Sequence, residues 1–198
     1  MKIVAALLLL FPSALWSSPP ADECRRLYDA AEYQQAFTFC RQAAEAGDSQ
    51  SQSILGECYD RGLGAQADAT LAADWWRKAA EAGNLEAQNL LALKYYYGGS
   101  VFGPEDGWRQ DYPEAMRLWR ISSQQGNGAS QFMLAEMYHL GLGVARDPVE
   151  AYAWYLLSAQ AGYRLATDGA MLLGRELPQA RKQAARARFE SYSERFSR

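Results

Sequence analysis

The chain has 198 residues and a formal net charge of −3, with 49% apolar and 22% charged residues. These values describe a soluble globular protein with one domain's worth of core, and by themselves they indicate no particular chemistry. The net acidic charge excludes nucleic acid as a natural partner, because binding to phosphates needs a basic surface.

The N-terminal segment predicts a secretory signal peptide over residues 1–17. Lys2 precedes an apolar run at 3–11, and Pro12, Ser13 and Ser17 supply the polar and small residues of a cleavage region. The run is too short for a bilayer, which needs about 20 apolar residues, so no stable membrane span is expected after cleavage near Ser17. The mature chain is then periplasmic or secreted, with an uncleaved N-terminal anchor as the alternative.

Export makes a disulfide favourable, and the chain has three cysteines, so at most one pair forms within it. Cys24 and Cys40 flank a predicted turn near residues 31–32 and lie opposite each other in an antiparallel hairpin. A bridge between them would contribute about 3 kcal/mol in the chain-entropy model. Cys40 and Cys58 can face each other around a second turn, and that pairing stays open. No CxxC spacing is present, so neither a zinc site nor a dithiol redox site is predicted.

The chain repeats itself along most of its length. Gly47, Gly83, Gly126 and Gly162 each end a similar stretch, at intervals of 36, 43 and 36 residues. The same residue types recur at fixed distances after these glycines: Leu55, Leu91 and Leu134; Tyr59, Tyr95 and Tyr138; Gly62, Gly98 and Gly141. The recurrence of so many residue types at fixed spacing predicts a repeat architecture.

Each copy predicts two helices joined by a glycine turn. The first helix keeps one apolar face and stops at a glycine, and the second opens with an Asp cap. Asp111 with Glu114, and Asp147 with Glu150, have the spacing of a capping box. Large aromatic residues follow at Trp75, Trp76, Trp119, Trp154 and Tyr155. A single hairpin cannot bury its apolar face, so the hairpins must stack.

The pattern AxxxLGxxYxxGxG followed by DxxxAxxWxxxAAxxG resembles the Sel-one-like repeat, a relative of the tetratricopeptide repeat. The resemblance implies an all-α fold, a right-handed superhelix (solenoid) of antiparallel helix hairpins. It also implies an adaptor that binds other proteins, often in envelope assembly or signalling. Ser100 and Leu118 depart from the pattern in the middle copy.

Three segments follow the predicted signal peptide. They are a degenerate hairpin at 18–48, three repeats within 49–162 (about 51–86, 87–129 and 130–165) with a loop insertion near 99–110, and capping helices at 163–198.

We predict that the binding surface is the side of each first helix that faces away from the core. At 100° per residue, positions 3, 6, 10, 13 and 14 after each repeat glycine point away from the core positions. The predicted protein-binding residues on this concave face are Glu57, Asp60, Arg61, Glu86, Asn89, Leu93, Tyr96, Tyr97, Phe132, Glu136 and His139. The alternative is that Leu93, Phe132 and Leu140 pack against adjacent helices.

The loop insertion is a second predicted contact site. It places Phe102 and Trp108 where the repeat pattern needs no aromatic residue, and loops of this kind often carry binding residues. The alternative is an elaborated turn in which Trp108 folds back on the solenoid. The segment 175–198 has a local charge of +4 and helical apolar spacing, which indicates a capping helix with a basic solvated face.

No constellation of catalytic residues is present. His139 is the single histidine, and there is no phosphate loop or dinucleotide fingerprint, so no enzyme activity, metal site or cofactor is predicted. The predicted partner is another protein or peptide of the bacterial envelope, and the oligomeric state is left open. Two alternatives come from relatives: a hydrolase or binding protein for cell-wall compounds or β-lactams, and a structural component of an envelope machine such as a flagellar motor ring.

Overall fold

The computed structural model describes residues 19–98 and 109–196, and the predicted signal peptide lies outside them. Over these ranges the chain forms ten α-helices and no strand. They are α1 (Pro20–Asp29), α2 (Tyr33–Glu45), α3 (Ser49–Arg61), α4 (Ala69–Glu81), α5 (Leu85–Tyr97), α6 (Tyr112–Gln124), α7 (Gly128–Leu140), α8 (Pro148–Gln160), α9 (Arg164–Glu176) and α10 (Gln179–Phe196). The predicted all-α solenoid of helix hairpins is confirmed.

Polar side chains and glycines set the ends of the first helix in each repeat. The side chains of Asp48, Asn84 and Asn127 accept a hydrogen bond from a backbone N–H in the first turn of α3, α5 and α7. Each of these helices then ends at a glycine in the left-handed conformation, with φ between 67° and 75°. A side chain at such a position would be strained, which explains why Gly62, Gly98 and Gly141 recur.

The second helix of each repeat begins at an aspartate, but the predicted capping box forms only in part. Asp111 Oδ1 accepts a bond from the Glu114 N–H at 2.9 Å. The Asp111 N–H, however, donates to the Tyr95 carbonyl at 2.7 Å, so the Glu114 side chain is not needed there. Asp68 and Asp147 make the same backbone bond to Tyr59 and Tyr138. This bond fixes the start of the second helix against the end of the first.

One aromatic residue in each second helix packs against the first helix of the same repeat. Trp76 and Trp119 are almost fully buried, and their indole N–H groups donate to the Ser53 carbonyl at 3.1 Å and to Asn89 Oδ1 at 3.0 Å. Tyr155 occupies the equivalent place and its hydroxyl donates to the Glu136 carboxylate. These aromatic residues hold the two helices of a hairpin together.

A glutamine in each first helix ties that hairpin to the one before it. The side-chain amides of Gln52, Gln88 and Gln131 donate to carbonyls at the end of α2, α4 and α6, each at 3.1 Å. All three glutamines are buried, so these bonds are shielded from water. Each repeat thus contains a buried glutamine that bonds it to the preceding hairpin.

The N-terminal hairpin is closed by a disulfide. Cys24 in α1 and Cys40 in α2 are bonded, with their Cα atoms 4.6 Å apart, and Cys58 in α3 is a free, buried thiol. The three sulfur-bearing residues share one apolar cluster with Leu27 and Leu55. The N-terminal hairpin therefore packs directly on the first full repeat.

The C-terminal helices differ from the preceding hairpins. Helix α9 stacks on α8 in the way that the earlier first helices stack, whereas α10 packs mainly on α8. Within the described residues, no helix is both long enough and apolar enough to cross a bilayer.

The aromatic residue at the joint of each hairpin should dominate its stability. Trp76→Ala removes a fully buried side chain and should lower the free energy of unfolding by about 3–5 kcal/mol. The adjacent Trp75 is only partly buried and lies under the Lys78 ammonium, so Trp75→Ala should cost roughly 1 kcal/mol. Urea denaturation of the two variants measures the difference, and equal losses would contradict the assigned packing.

The thiol chemistry should follow the disulfide pairing. Burial raises the pKa of the Cys58 thiol to about 12, so it should not react with a thiol reagent in the native protein at pH 8. We expect one reactive thiol per chain after denaturation without reductant. Reduction should lower the free energy of unfolding by about 3 kcal/mol, and a Cys24→Ser/Cys40→Ser variant should lose this sensitivity. Three reactive thiols before reduction would contradict the pairing.

Candidate protein-binding surface

The outward positions of successive first helices form one continuous surface, here named the first-helix face. It consists of positions 3, 6, 10, 13 and 14 after each repeat glycine in α3, α5, α7 and α9. Gln50 Nε2 in α3 donates to Glu86 Oε2 in α5 at 3.0 Å, which joins the third position of two neighbouring helices. The first helices therefore lie side by side, and residues far apart in sequence share a surface.

The α3 end of the first-helix face is charged. Arg61 forms an ion pair with Glu57 at 3.1 Å, and Arg61 is exposed. Burial and a hydrogen bond to Glu57 raise the pKa of the Tyr28 hydroxyl above its ordinary value, so Tyr28 stays neutral beside this pair. Ser53, at an outward position by helical angle, is buried beneath Trp76. Gln50, Glu57, Arg61 and Glu86 are the groups at this end that reach solvent.

Asp60 contacts the next repeat more than it contacts solvent. Its carboxylate lies 2.5 Å from Lys94 Nζ in α5, and the two side chains are 10% and 2% exposed. The Lys94 ammonium also lies 5.7 Å from the centre of the Trp76 ring. Breaking a buried pair of this kind is costly, so Asp60 and Lys94 hold α3 against α5. A role for Asp60 in binding stays a prediction.

In α5, two consecutive tyrosines have different surroundings. Tyr96 is half-buried, with its ring centre 5.0 Å from Tyr97, 5.3 Å from Tyr112 and 5.5 Å from Trp119. Tyr97 is 55% exposed. Asn89 is engaged by the Trp119 indole and Leu93 is half-buried. Tyr97 is thus the large side chain of α5 that a partner can reach without repacking the core.

In α7, the outward residues divide in the same way. Phe132 packs between Tyr155 and Tyr163, with ring centres 5.8 and 5.2 Å away. Glu136 accepts the Tyr155 hydroxyl bond; burial, followed by this bond, raises the pKa of Tyr155. The His139 ring lies 6.3 Å from the Tyr155 ring. These three predicted residues therefore serve packing at least in part, and Leu140 is the exposed one at 55%.

Helix α9 adds a fourth set of outward residues to the first-helix face, and the sequence analysis did not predict it. Leu165 and Leu172 occupy the third and tenth positions after Gly162, and they are 56% and 58% exposed. The signal was present in the sequence, because counting from Gly162 as from the other glycines gives these two leucines. Because residues 163–198 were predicted to be capping helices, these two leucines were left out of the predicted binding surface.

The first-helix face therefore has only polar and charged exposed side chains at its α3 end, and a mixture of apolar and charged ones toward α9, where Asp168, Arg175 and Glu176 are also exposed. Glu57, Arg61 and Glu86 lie at the α3 end, while Tyr97, Leu140, Leu165 and Leu172 lie toward the α9 end. The predicted contact residues Phe102 and Trp108 lie outside the described residues. Over 19–98 and 109–196, no three His, Cys, Asp or Glu side chains are grouped as metal ligands.

Comparison with protein families identifies the repeat. The model of the Sel1 repeat matches residues 30–48, 49–84, 85–127 and 128–163. The chain belongs to the Sel1 repeat family. The predicted Sel-one-like resemblance is confirmed, and the first match covers α2 of the N-terminal hairpin but not α1. Sel1 repeats generally mediate protein–protein interaction, and the family is generally non-catalytic.

Three relatives define what the chain is similar to. It is 32% identical over 136 residues to chitin synthase regulatory factor 3 of Schizosaccharomyces pombe, a match that covers 68% of this chain and 14% of that protein. A Sel1 repeat protein from Oxalobacter formigenes has a TM-score of 0.69 at 29% identity, over 77% of this chain and 60% of the other. A protective antigen of uropathogenic Escherichia coli with an SLR fold scores 0.44 at 24% identity, over 83% and 49%. The chain thus spans less than two thirds of each relative.

The contrast between packed and exposed tyrosines gives a stability test. Tyr96→Ala removes contacts with three aromatic rings and should lower the free energy of unfolding by about 3 kcal/mol. Tyr97→Ala and Leu140→Ala remove exposed side chains and should each change it by less than roughly 0.5 kcal/mol. Thermal and urea unfolding measure these values. A large loss in Tyr97→Ala would show that this side chain belongs to the core.

Proposed function

We propose that this protein is a non-catalytic adaptor that binds another polypeptide along the first-helix face. The observation that carries the proposal is the row of large apolar side chains left exposed on successive first helices: Tyr97, Leu140, Leu165 and Leu172. Repeat proteins bind their partners along surfaces formed by equivalent positions of successive repeats, and exposed apolar side chains on such a surface are candidate contacts. Tyr97 is the aromatic residue of the row, a type enriched among residues that dominate binding energy.

The polar end of the same face defines the chemistry of the partner. Glu57 and Arg61 form an ion pair on α3, and Glu86 on α5 accepts a hydrogen bond from Gln50 of α3, about three repeats away from the leucines of α9. A matching partner is a peptide or helix that combines apolar residues with polar, hydrogen-bonding residues. Segments of this kind bind in grooves of helical proteins through apolar anchors at helical spacing.

We further propose that the adaptor acts in the bacterial envelope, after export and cleavage near Ser17. The signal-like composition of residues 1–17 supports export. The disulfide between Cys24 and Cys40 supports it too, because such bonds persist in oxidising compartments. The yeast relative is named a regulatory factor, which agrees with a binding role rather than a catalytic one.

Binding through the first-helix face is tested by a variant that removes its exposed row. Tyr97→Ala, Leu140→Ala, Leu165→Ala and Leu172→Ala combined should abolish crosslinking of the full chain to its partner in a periplasmic extract. The fold should survive, because all four side chains are more than half exposed. Leu71→Ala on α4, which removes a 39% exposed leucine away from this face, serves as the matched control.

Quantitative crosslinking followed by mass spectrometry measures the captured partner. The control should capture the same protein as the unmodified chain, and the combined variant less than about a tenth of it, since several anchors are lost together. Equal capture by the combined variant would remove the first-helix face as the binding surface.

A catalytic alternative is tested directly. Purified mature protein should show no turnover of a β-lactam or of peptidoglycan under conditions in which a control hydrolase is active. Turnover that a single substitution abolishes would contradict the adaptor proposal.

A further inference from the structure

Helix α10 docks against α8 through a defined set of contacts. Arg188 lies 2.9 Å from Asp147 and 2.7 Å from Glu150, and the Tyr192 hydroxyl donates to Glu150 at 2.5 Å. The Trp154 ring stacks on Tyr192, with centres 4.8 Å apart. Residues four apart on α10 thus present one charged and aromatic face to the start and middle of α8.

The end of α10 reaches the junction between repeats. Phe196 and Ser193 border a small cavity of about 140 Å³, together with Gly126, Gln131 and Leu157. Gly126 belongs to the turn after α6, Gln131 to α7 and Leu157 to α8. Helix α10 therefore lies along α8 and its end covers the groove that α7, α8 and the turn after α6 form.

One repeat earlier, the equivalent groove is open. Between α4 and α6, over α5, the structure contains a cavity of about 390 Å³. Among the residues that line it are Gly83, Gln88, Tyr95, Glu114, Leu118 and Ile121. Their repeat equivalents in the groove that α10 fills are Gly126, Gln131, Tyr138, Glu150, Trp154 and Leu157. Equivalent helices and largely the same residue types form both grooves, but no other part of the described residues covers the earlier one.

Two of the differences between the grooves indicate what the open one accepts. Leu118 stands where the filled groove has Trp154, so the open groove has space for an additional ring. Arg117 stands in place of Ala153 and binds the Glu114 carboxylate with two hydrogen bonds of 2.8 and 2.7 Å. Ile121 remains 37% exposed at the rim. The open groove therefore combines apolar lining from Leu91, Leu118 and Ile121 with charged side chains from Arg77, Glu81, Glu114 and Arg117.

We propose that the groove between α4 and α6 binds an amphipathic helix of a partner protein, anchored by two aromatic side chains four residues apart. Tyr192 and Phe196 of α10 show this mode of binding in the neighbouring groove. A second copy of this chain does not supply the helix, because its own α10 is held by Arg188 and Tyr192 in its own groove. This surface is separate from the first-helix face and its use does not depend on that face.

The probe for the open groove is a synthetic peptide of residues 179–196, added to the full-length protein. It should bind saturably with a stoichiometry of one, as measured by fluorescence anisotropy of a labelled peptide and by calorimetry. A matched peptide with Tyr192→Ala and Phe196→Ala keeps the charge and should bind at least tenfold more weakly. The Ile121→Glu protein should also bind the first peptide at least tenfold more weakly, because it places a charge in the slot.

Two control proteins distinguish this groove from the other surfaces. Leu140→Glu, on the first-helix face, should leave peptide affinity unchanged, so failure of one proposal is separable from failure of the other. Trp154→Ala, in the filled groove, should also leave it unchanged. Loss of binding in Trp154→Ala alone would show exchange with the resident α10 and would overturn the proposal.

Other results would also overturn it. Equal affinity of the two peptides would indicate charge attraction alone, and no saturable binding at millimolar peptide would indicate that the groove does not accept such a helix. Sedimentation of the full-length protein as a dimer that Ile121→Glu converts to a monomer would assign the groove to a second copy instead.

Discussion

The structure depends on one contact repeated along the chain: the aromatic side chain of each second helix against the first helix of the same hairpin. Trp76, Trp119 and Tyr155 are each buried and each donate a hydrogen bond to that first helix. The apolar body removes water from the joint, and the polar edge fixes the rotation of the first helix. That rotation decides which residues of α3, α5 and α7 point outward, so the core contact also determines the candidate binding face.

Stacking follows because a hairpin buries only part of its apolar surface by itself. The buried glutamines in α3, α5 and α7 align each hairpin with its predecessor, and the pair Asp60–Lys94 does so for α3 and α5. The series ends without a next hairpin, since α10 packs on α8. Within the described residues, two kinds of surface remain unused by the fold: exposed apolar residues on the first helices, and the groove between α4 and α6, whose counterpart one repeat later is covered by α10.

The helices, their caps, the period and the Sel1 repeat could all be predicted from the sequence. Those features rest on local chemistry: Asp48, Asn84 and Asn127 cap helices within four residues, and Gly62 ends one in a conformation that few other residues adopt. The row on α9 was also within reach, by counting from Gly162 to Leu165 and Leu172. Part of the candidate site was therefore predictable, namely the positions that face away from the core.

Only the tertiary structure decided which outward positions stay accessible. Tyr96 and Tyr97 are neighbours in sequence, yet one packs on Trp119 and the other is exposed. Asp60 is buried by Lys94, 34 residues away, and α10 docks on α8 through Arg188, 38 residues after Glu150. Such outcomes depend on contacts between repeats, and helical periodicity describes only a residue's angle on its own helix. The sequence by itself determined the repeating unit, and the packing of one unit on the next determined its usable surfaces.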